Sequence, residues 1–240
     1  MDKRACVLGA SGGIGAALVE ALAASGNFTK IYAGSRREIT PRQSQVDRFE
    51  FDFADESTLA TAADCIADEG PLDLILVATG LLHRDTRVRP EKSFQQLDAP
   101  VMTEVFAVNT IGPAIAAKHF LPLLHSGRRS VIAFLSARVG SIGDNRLGGW
   151  HSYRASKAAL NALVRCYSIE MRARNRHAIA VSLHPGTVDT ALSMPFQRRV
   201  AAQQLFSPEQ SAAHLLDVID GLTLAHSGGF FAWNGDPILY

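Results

Sequence analysis

Residues 5–15 read Ala5-Cys6-Val7-Leu8-Gly9-Ala10-Ser11-Gly12-Gly13-Ile14-Gly15. A short apolar run meets a glycine-rich turn, and a helical pattern then runs from Gly13 to about Ala24. This is the strand–turn–helix order in which an open α/β sheet places a phosphate site. Glycines let the backbone turn tightly and let a pyrophosphate come close. The helix start offers free N–H groups and a partial positive charge. Gly9, Ser11, Gly12, Gly13, Ile14 and Gly15 are therefore expected to hold a dinucleotide.

Outward from this turn the chain alternates between strand and helix patterns. Residues 30–33 read as a second strand, 49–51 as a third, and 57–69 as a helix capped by Asp55 or Ser57. Residues 74–78 are almost continuously apolar, as in a strand buried on both faces. A long helical stretch over 98–124 is interrupted at Gly112 and Pro113. Strands are expected at 130–135, 178–183 and 230–233, with a helix over 153–174. The pattern predicts an α/β fold: a single Rossmann-type domain over 1–240, with a doubly wound, mostly parallel sheet and helices on both faces.

Composition narrows the function classes. The 240 residues are 47% hydrophobic and 20% charged with a net charge of +1, an ordinary globular balance that argues against nucleic-acid and membrane-surface binding. Cys6, Cys65 and Cys166 are odd in number and far apart, which suggests neither a disulfide framework nor a zinc site and fits a reducing, cytoplasmic setting. Met1-Asp2-Lys3-Arg4 leads straight into the first strand pattern, so no secretory leader is expected. No apolar run approaches the roughly 20 residues that span a bilayer. The eight histidines form no His-x-His or His-Glu-x-x-His arrangement, so no metal is expected.

Three further stretches carry chemistry. Ser35-Arg36-Arg37 ends the second strand, where an acid would select NAD and a basic residue accommodates a 2′-phosphate. Arg36 is thus expected to favour NADP, with NAD possible. Asp52, after the third strand, can accept from an adenine amino group, with Phe53 beside it.

Tyr153 and Lys157, four residues apart, project from one helix face, and Ser136 lies seventeen positions upstream at a strand's C-terminal end. The lysine charge is expected to lower the Tyr153 pKa, making the phenol an acid or base near neutral pH. Ser136 can hold a substrate carbonyl oxygen. Pro113 has no N–H, so in a regular helix the Asn109 carbonyl lacks its i+4 partner and can hold a water bridging to Lys157. The alternative is a simple kink.

After the strand at 178–183 comes His184-Pro185-Gly186-Thr187-Val188-Asp189-Thr190. Pro185, Gly186, Val188 and Thr190 can reach a nicotinamide carboxamide. Residues 190–208, with Phe196 and Phe206, are expected to form a substrate lid or a surface helix with its aromatics packed inward. His151 and His184 are expected to be structural.

Taken together, Gly9…Gly13-Ile14-Gly15, Asp52, Asn109, Ser136, Tyr153, Lys157 and Pro185-Gly186 resemble the short-chain dehydrogenase/reductase family across nearly the whole chain. The resemblance implies NAD(P)-dependent interconversion of a small-molecule carbonyl and alcohol at a Ser-Tyr-Lys centre supported by Asn. It also implies a homodimer or homotetramer joined through the helices of Asn109 and Tyr153, where Ala155, Ala158, Ala159 and Ala162 permit close packing. Segments 136–141 and 148–153 look most like the C-factor-like branch.

The chain departs from the family pattern in three places. Leu8 replaces the threonine that usually precedes the first glycine. Val77-Ala78-Thr79-Gly80 replaces the usual Asn-Asn-Ala-Gly, leaving Ala78, Thr79 and Gly80 against the cofactor. The interval from Ser136 to Tyr153 is long, with extra residues around 144–150 that shape a pocket. Two function classes follow: an NADPH-preferring carbonyl reductase, or a nucleotide-binding signalling or redox-sensing protein with vestigial activity.

Overall fold

Leu74–Val77 is apolar and buried at every residue, a pattern satisfied only between two layers of helix. In the computed structural model of the chain, which describes residues 2–40, 43–199 and 201–240, this run is the centre of a seven-stranded sheet. The strands in chain order are β1 (Arg4–Leu8), β2 (Lys30–Ser35), β3 (Val46–Glu50), β4 (Leu74–Val77), β5 (Ser130–Leu135), β6 (Ala178–His184), β7 (Thr187–Val188), β8 (Leu205–Phe206) and β9 (Phe230–Ala232). The sheet runs β3-β2-β1-β4-β5-β6-β9 with every neighbour parallel, and β7 and β8 make a separate two-residue pair.

The helices are α1 (Gly13–Ala24), α2 (Glu56–Glu69), α3 (Ala99–Phe106), α4 (Gly112–Phe120), α5 (His151–Arg174) and α6 (Pro208–Gly221). Alternate strand residues serve two cores. On one face Val7, Leu76, Ala133 and Val181 meet Leu18 and Leu22 of α1 and Leu215 and Ile219 of α6. On the other, Leu8, Ile75, Phe134 and Ala180 meet Leu59 of α2, Phe120 of α4 and Leu160 and Val164 of α5.

Strand order reverses beside β1: β2 and β3 lie to one side, β4 and its successors to the other. The crevice beyond the C-terminal ends of β1 and β4 is therefore the switch point at which such sheets bind ligands. Two glycines close its floor. A Cβ on Gly15 would stand 2.2 Å from the Gly9 carbonyl oxygen, so α1 begins in direct contact with the turn that feeds it. Gly9 has φ +97° and lies so close to Ala78 that a Cβ would meet its carbonyl carbon at 2.9 Å.

Three local expectations are corrected. The third strand is Val46–Glu50 rather than 49–51, because its edge position pairs only with β2 and extends upstream along it. The 98–124 stretch is not broken at Pro113. It passes from α3 through a π-helical turn, Ala107–Ile111, into α4, and Pro113 sits in the first turn of α4, where its missing N–H costs little. Residues 208–221, not anticipated as a helix, form α6. Ser207 accepts from Gln210 N–H while the Gln210 side chain accepts from Ser207 N–H, a reciprocal cap on a helix with Pro208 at its first position.

Substituting Gly15→Ala is expected to destabilise the protein by about 1–3 kcal/mol through overpacking. Gly26→Ala meets nothing within 4 Å and strains only its own φ of +66°, so it should cost less. Urea midpoints of the two variants measure this; a wild-type midpoint for Gly15→Ala would show that the close approach is not required.

Candidate active site

A cavity of about 410 Å³ opens at the switch point. Gly9 and Ala10 N–H both donate to Gly34 O at 2.9 Å, and Gly12 N–H donates to Gly9 O at 3.0 Å, which folds the turn against β2. No side chain caps α1, so its first N–H groups remain available at the turn. Nine residues expected at a dinucleotide line the cavity: Gly9, Ser11, Gly12, Arg36, Asp52, Phe53, Ala78, Thr79 and Gly80.

Gly13, Ile14 and Gly15 lie behind it. Ile14 packs on the core, and a Cβ on Gly13 would meet Thr190 Cγ2 at 2.6 Å, so the 185–190 segment closes on the start of α1. One Asp52 oxygen accepts from Ala54 N–H at 3.0 Å. Arg37, Leu81, Arg84 and Glu104 also line the cavity. Arg84 pairs with Glu104, which also holds Arg87 at 2.8 Å. No short-range pattern marks this cluster, because its members come from a loop and a helix twenty residues apart.

Gly80 connects the cavity to the Tyr153 and Lys157 end. A Cβ there would lie 3.8 Å from Asn109 Oδ1 and 3.9 Å from Lys157 Nζ. Ser136 directly follows β5; its N–H donates to Leu183 O at 2.8 Å, and its hydroxyl is buried with no partner among the described residues. Lys157 is 2% exposed and donates from Nζ to Leu135 O at 2.8 Å. Its Nζ stands 6.0 Å from the centroid of the Tyr153 ring. Gly140 allows this docking, since a Cβ on it would lie 2.7 Å from Lys157 Cβ.

The Asn109 side chain sits at the π-turn and is fully engaged. Oδ1 accepts from Leu81 N–H at 2.7 Å, and Nδ2 donates to Leu81 O at 2.8 Å and Ser156 Oγ at 3.0 Å. Asn109 thus braces the segment after β4 against α5.

The expected depression of the Tyr153 pKa is not what the structure gives. Burial pushes the phenol up, and the same burial pushes Lys157 down to about 7. With a pKa near 7, Lys157 carries only part of its charge at neutral pH and supplies less field to ionise its neighbour, and desolvation disfavours both charges. His184 is lowered to about 4 by burial and then by Arg138, so it is neutral at pH 7.

Of the two aromatic residues expected over a substrate, only Phe196 lies beside the site. Its ring is 5.0 Å from Trp150 and 5.7 Å from His83, and Trp150 is 6.4 Å from Tyr153. His83 Nε2 is 2.9 Å from Ala191 O, which ties the 81–97 loop to the 190–208 segment. Val200, within that segment, lies outside the described residues. Phe206 packs away from Tyr153, against Trp233, His214 and the Gly186 turn. Among the described residues no group of three His, Cys, Asp or Glu is placed to hold a metal, and no helix is long and apolar enough to cross a membrane.

The buried lysine makes stability depend on pH. Between about 7 and 10.5 the unfolded chain keeps a proton that the folded chain has lost, so stability rises with pH through that window. Below about 7 both states hold the proton and the full cost of burying the charge remains. Lys157→Met lacks this cost. Its stability relative to wild type should be greatest near about pH 6 and decline toward pH 10 in thermal melts; a pH-independent difference would contradict the buried-charge account.

The chain matches the family model for short chain dehydrogenase over residues 3–201. An uncharacterized oxidoreductase of Schizosaccharomyces pombe is 29% identical over 255 residues, covering 98% of this chain and 96% of its own. The C-signal of Myxococcus xanthus is 37% identical over 142 residues, 59% of this chain and 80% of its own, in keeping with the C-factor-like resemblance. The NADPH-bound carbonyl reductase from chicken fatty liver superposes with a TM-score of 0.84 at 26% identity, covering 100% of this chain and 94% of that one. A parallel sheet with this strand order, a glycine turn at its switch point and a family match over most of its length make the chain a member of the short-chain dehydrogenase family of oxidoreductases.

Proposed function

We propose that the protein is an NADPH-preferring reductase of a ketone or aldehyde, with Tyr153 as the general acid. The observation that carries this reading is a buried Tyr153–Lys157 pair whose lysine docks on the Leu135 carbonyl, next in the chain to the unpartnered, buried Ser136 hydroxyl at the sheet's C-terminal edge. Buried polar groups are normally paired, and a hydroxyl left free beside an acid is suited to bind a substrate oxygen. The cavity fits a dinucleotide: close-packed glycines line its floor, Arg36 and Arg37 stand at its far end, and Lys157 lies near Gly80. NADPH in the chicken carbonyl reductase supports the same cofactor here.

Bound there, the dihydronicotinamide would supply a hydride to the carbonyl carbon. Ser136 donates a hydrogen bond to the carbonyl oxygen, and Tyr153 gives that oxygen its proton. A phenol whose pKa is raised by burial is protonated at neutral pH, which suits reduction. Lys157, with one N–H on Leu135 O, keeps its remaining donors for the nicotinamide ribose and the Tyr153 oxygen. Pro185, Gly186, Val188 and Thr190 would border the nicotinamide of a bound cofactor, and Thr190 packs closely on Gly13 at the start of α1. In this reading a water on the Asn109 carbonyl, within the π-helical turn, returns a proton to Lys157.

The 190–208 segment acts as the lid, with its Phe196 laid against Trp150. Ile111 on the π-turn and Ile169 on α5 are exposed apolar residues of the helices proposed to join a homodimer or homotetramer. Three unpaired cysteines fit a cytoplasmic setting. Similarity to C-signal favours one second reading, a nucleotide-dependent signalling protein. In that case a partner interaction would need bound nucleotide and survive Tyr153→Phe.

Tyr153→Phe should lower kcat by about 10²-fold or more while NADPH still binds; a fully active variant would refute the assigned role. Arg36→Ala should weaken NADPH by about tenfold or more and leave NADH nearly unchanged, as fits the loss of a charge-assisted phosphate contact. Equal losses for both nucleotides would place the 2′-phosphate elsewhere.

A further inference from the structure

The helix that carries Tyr153 and Lys157 has no cap of its own. Its N-cap residue, Trp150, lies in the left-handed region with φ 52° and ψ 40°, and no side chain of the helix start accepts from its first N–H groups. Gly148 and Gly149 precede it with φ 63° and 65°, so three successive residues take a conformation that a bulky side chain avoids. The missing acceptor comes from sixty-one residues upstream. The Glu91 carboxylate is 4% exposed and accepts from Ser152 N–H at 3.3 and 3.2 Å, and from the Ser152 hydroxyl. The Glu91 carbonyl accepts from Trp150 N–H. Among the described residues no cationic side chain pairs with this carboxylate. Its compensation is the helix start itself: two hydrogen-bond donors and the positive end of a 24-residue helix.

We propose that Glu91 is a positioning residue, whose buried carboxylate caps α5 from the 81–97 loop and so sets Tyr153 against Ser136 and holds Trp150 in the substrate wall. The inference rests on the reductase reading for its catalytic consequence, and on the contacts alone for its structural one. Ser152 immediately precedes Tyr153, so a shift of the first turn moves the phenol directly. Trp150 in turn stands 5.0 Å from Phe196 and 6.4 Å from Tyr153. The loop is tied to the same helix at both ends, by Glu91 at Ser152 and through Leu81–Asn109–Ser156 one turn further on. A general acid needs its position held to a fraction of an ångström, and misplacement by about 1 Å can cost 10²-fold.

The test compares Glu91→Ala and Glu91→Gln with wild type, with turnover counted per NADPH-binding site found by fluorescence titration. Glu91→Ala should lose about tenfold or more in kcat with the NADPH dissociation constant within about threefold, because the phosphate turn is untouched. Glu91→Gln, which keeps an acceptor for Ser152 N–H, should recover part of the loss. An unchanged kcat per site in Glu91→Ala, even with a lowered melting temperature, would overturn the proposal. If Glu91→Ala does not fold, Ser152→Ala replaces it: a loss of about threefold in kcat is expected, and no loss overturns the proposal.

A second readout needs no turnover, so failure of the reductase reading remains distinguishable. In a Trp233→Phe background Trp150 is the sole tryptophan. Adding Glu91→Ala should then move its emission to longer wavelength and lower its anisotropy, whereas unchanged emission would overturn the structural half.

Discussion

Everything at the catalytic end depends on how one ammonium group enters the interior. Lys157 is 2% exposed, and its Nζ reaches a single carbonyl, that of Leu135, the last residue of β5. That contact draws α5 onto the strand end that presents Ser136. Gly140 makes room for the lysine's own Cβ, and Ser156 beside it receives the Asn109 carboxamide. An ammonium with three donors and one partner is under-satisfied, and the desolvation that comes with its burial depresses its pKa. Such a cost is ordinary where a ligand completes the set, and the unpartnered Ser136 hydroxyl beside it points the same way.

The nucleotide end follows a different principle. There the constraint is close approach: Gly9 against Ala78 and Gly15 against Gly9 leave no room for side chains at the meeting of β1, β4 and α1. The uncapped N–H groups at the start of α1 therefore stand at the cavity, and Arg36, Arg37 and Arg84 also line it. One end of the crevice is a rigid backbone cradle. The other is a set of side chains fixed by hydrogen bonds from three separate segments. Gly80 stands between them, near both Asn109 and Lys157.

Much of this was legible in the chain because it is local or periodic. The glycine turn, the two-sided apolar strands and the four-residue Tyr153–Lys157 spacing each give a signal within a few residues, and the structure brings those groups together. The signal for α6 is also local, since Ser207-Pro208-Glu209-Gln210 is a cap and Ala212, Leu215 and Ile219 recur at helical spacing.

The Tyr153 pKa is raised rather than lowered because a pattern reveals a charged neighbour but not the depth of burial, and here burial decides the sign. Glu91, Arg84 and Glu104 give no signal at short range. Their partners stand 61, 20 and 20 positions away and meet only through the fold. The sequence points to Asn109 through its backbone carbonyl, whereas its side chain is the brace, a role that depends on where Leu81 and Ser156 come to lie.

The most direct test of the account is a titration of the wild-type protein with NADPH and with NADH, following the fluorescence of the nicotinamide. Saturable binding of both, with NADPH markedly tighter, is the predicted result. Binding of neither would contradict the assignment of the switch-point crevice as a dinucleotide site, and with it the reductase reading.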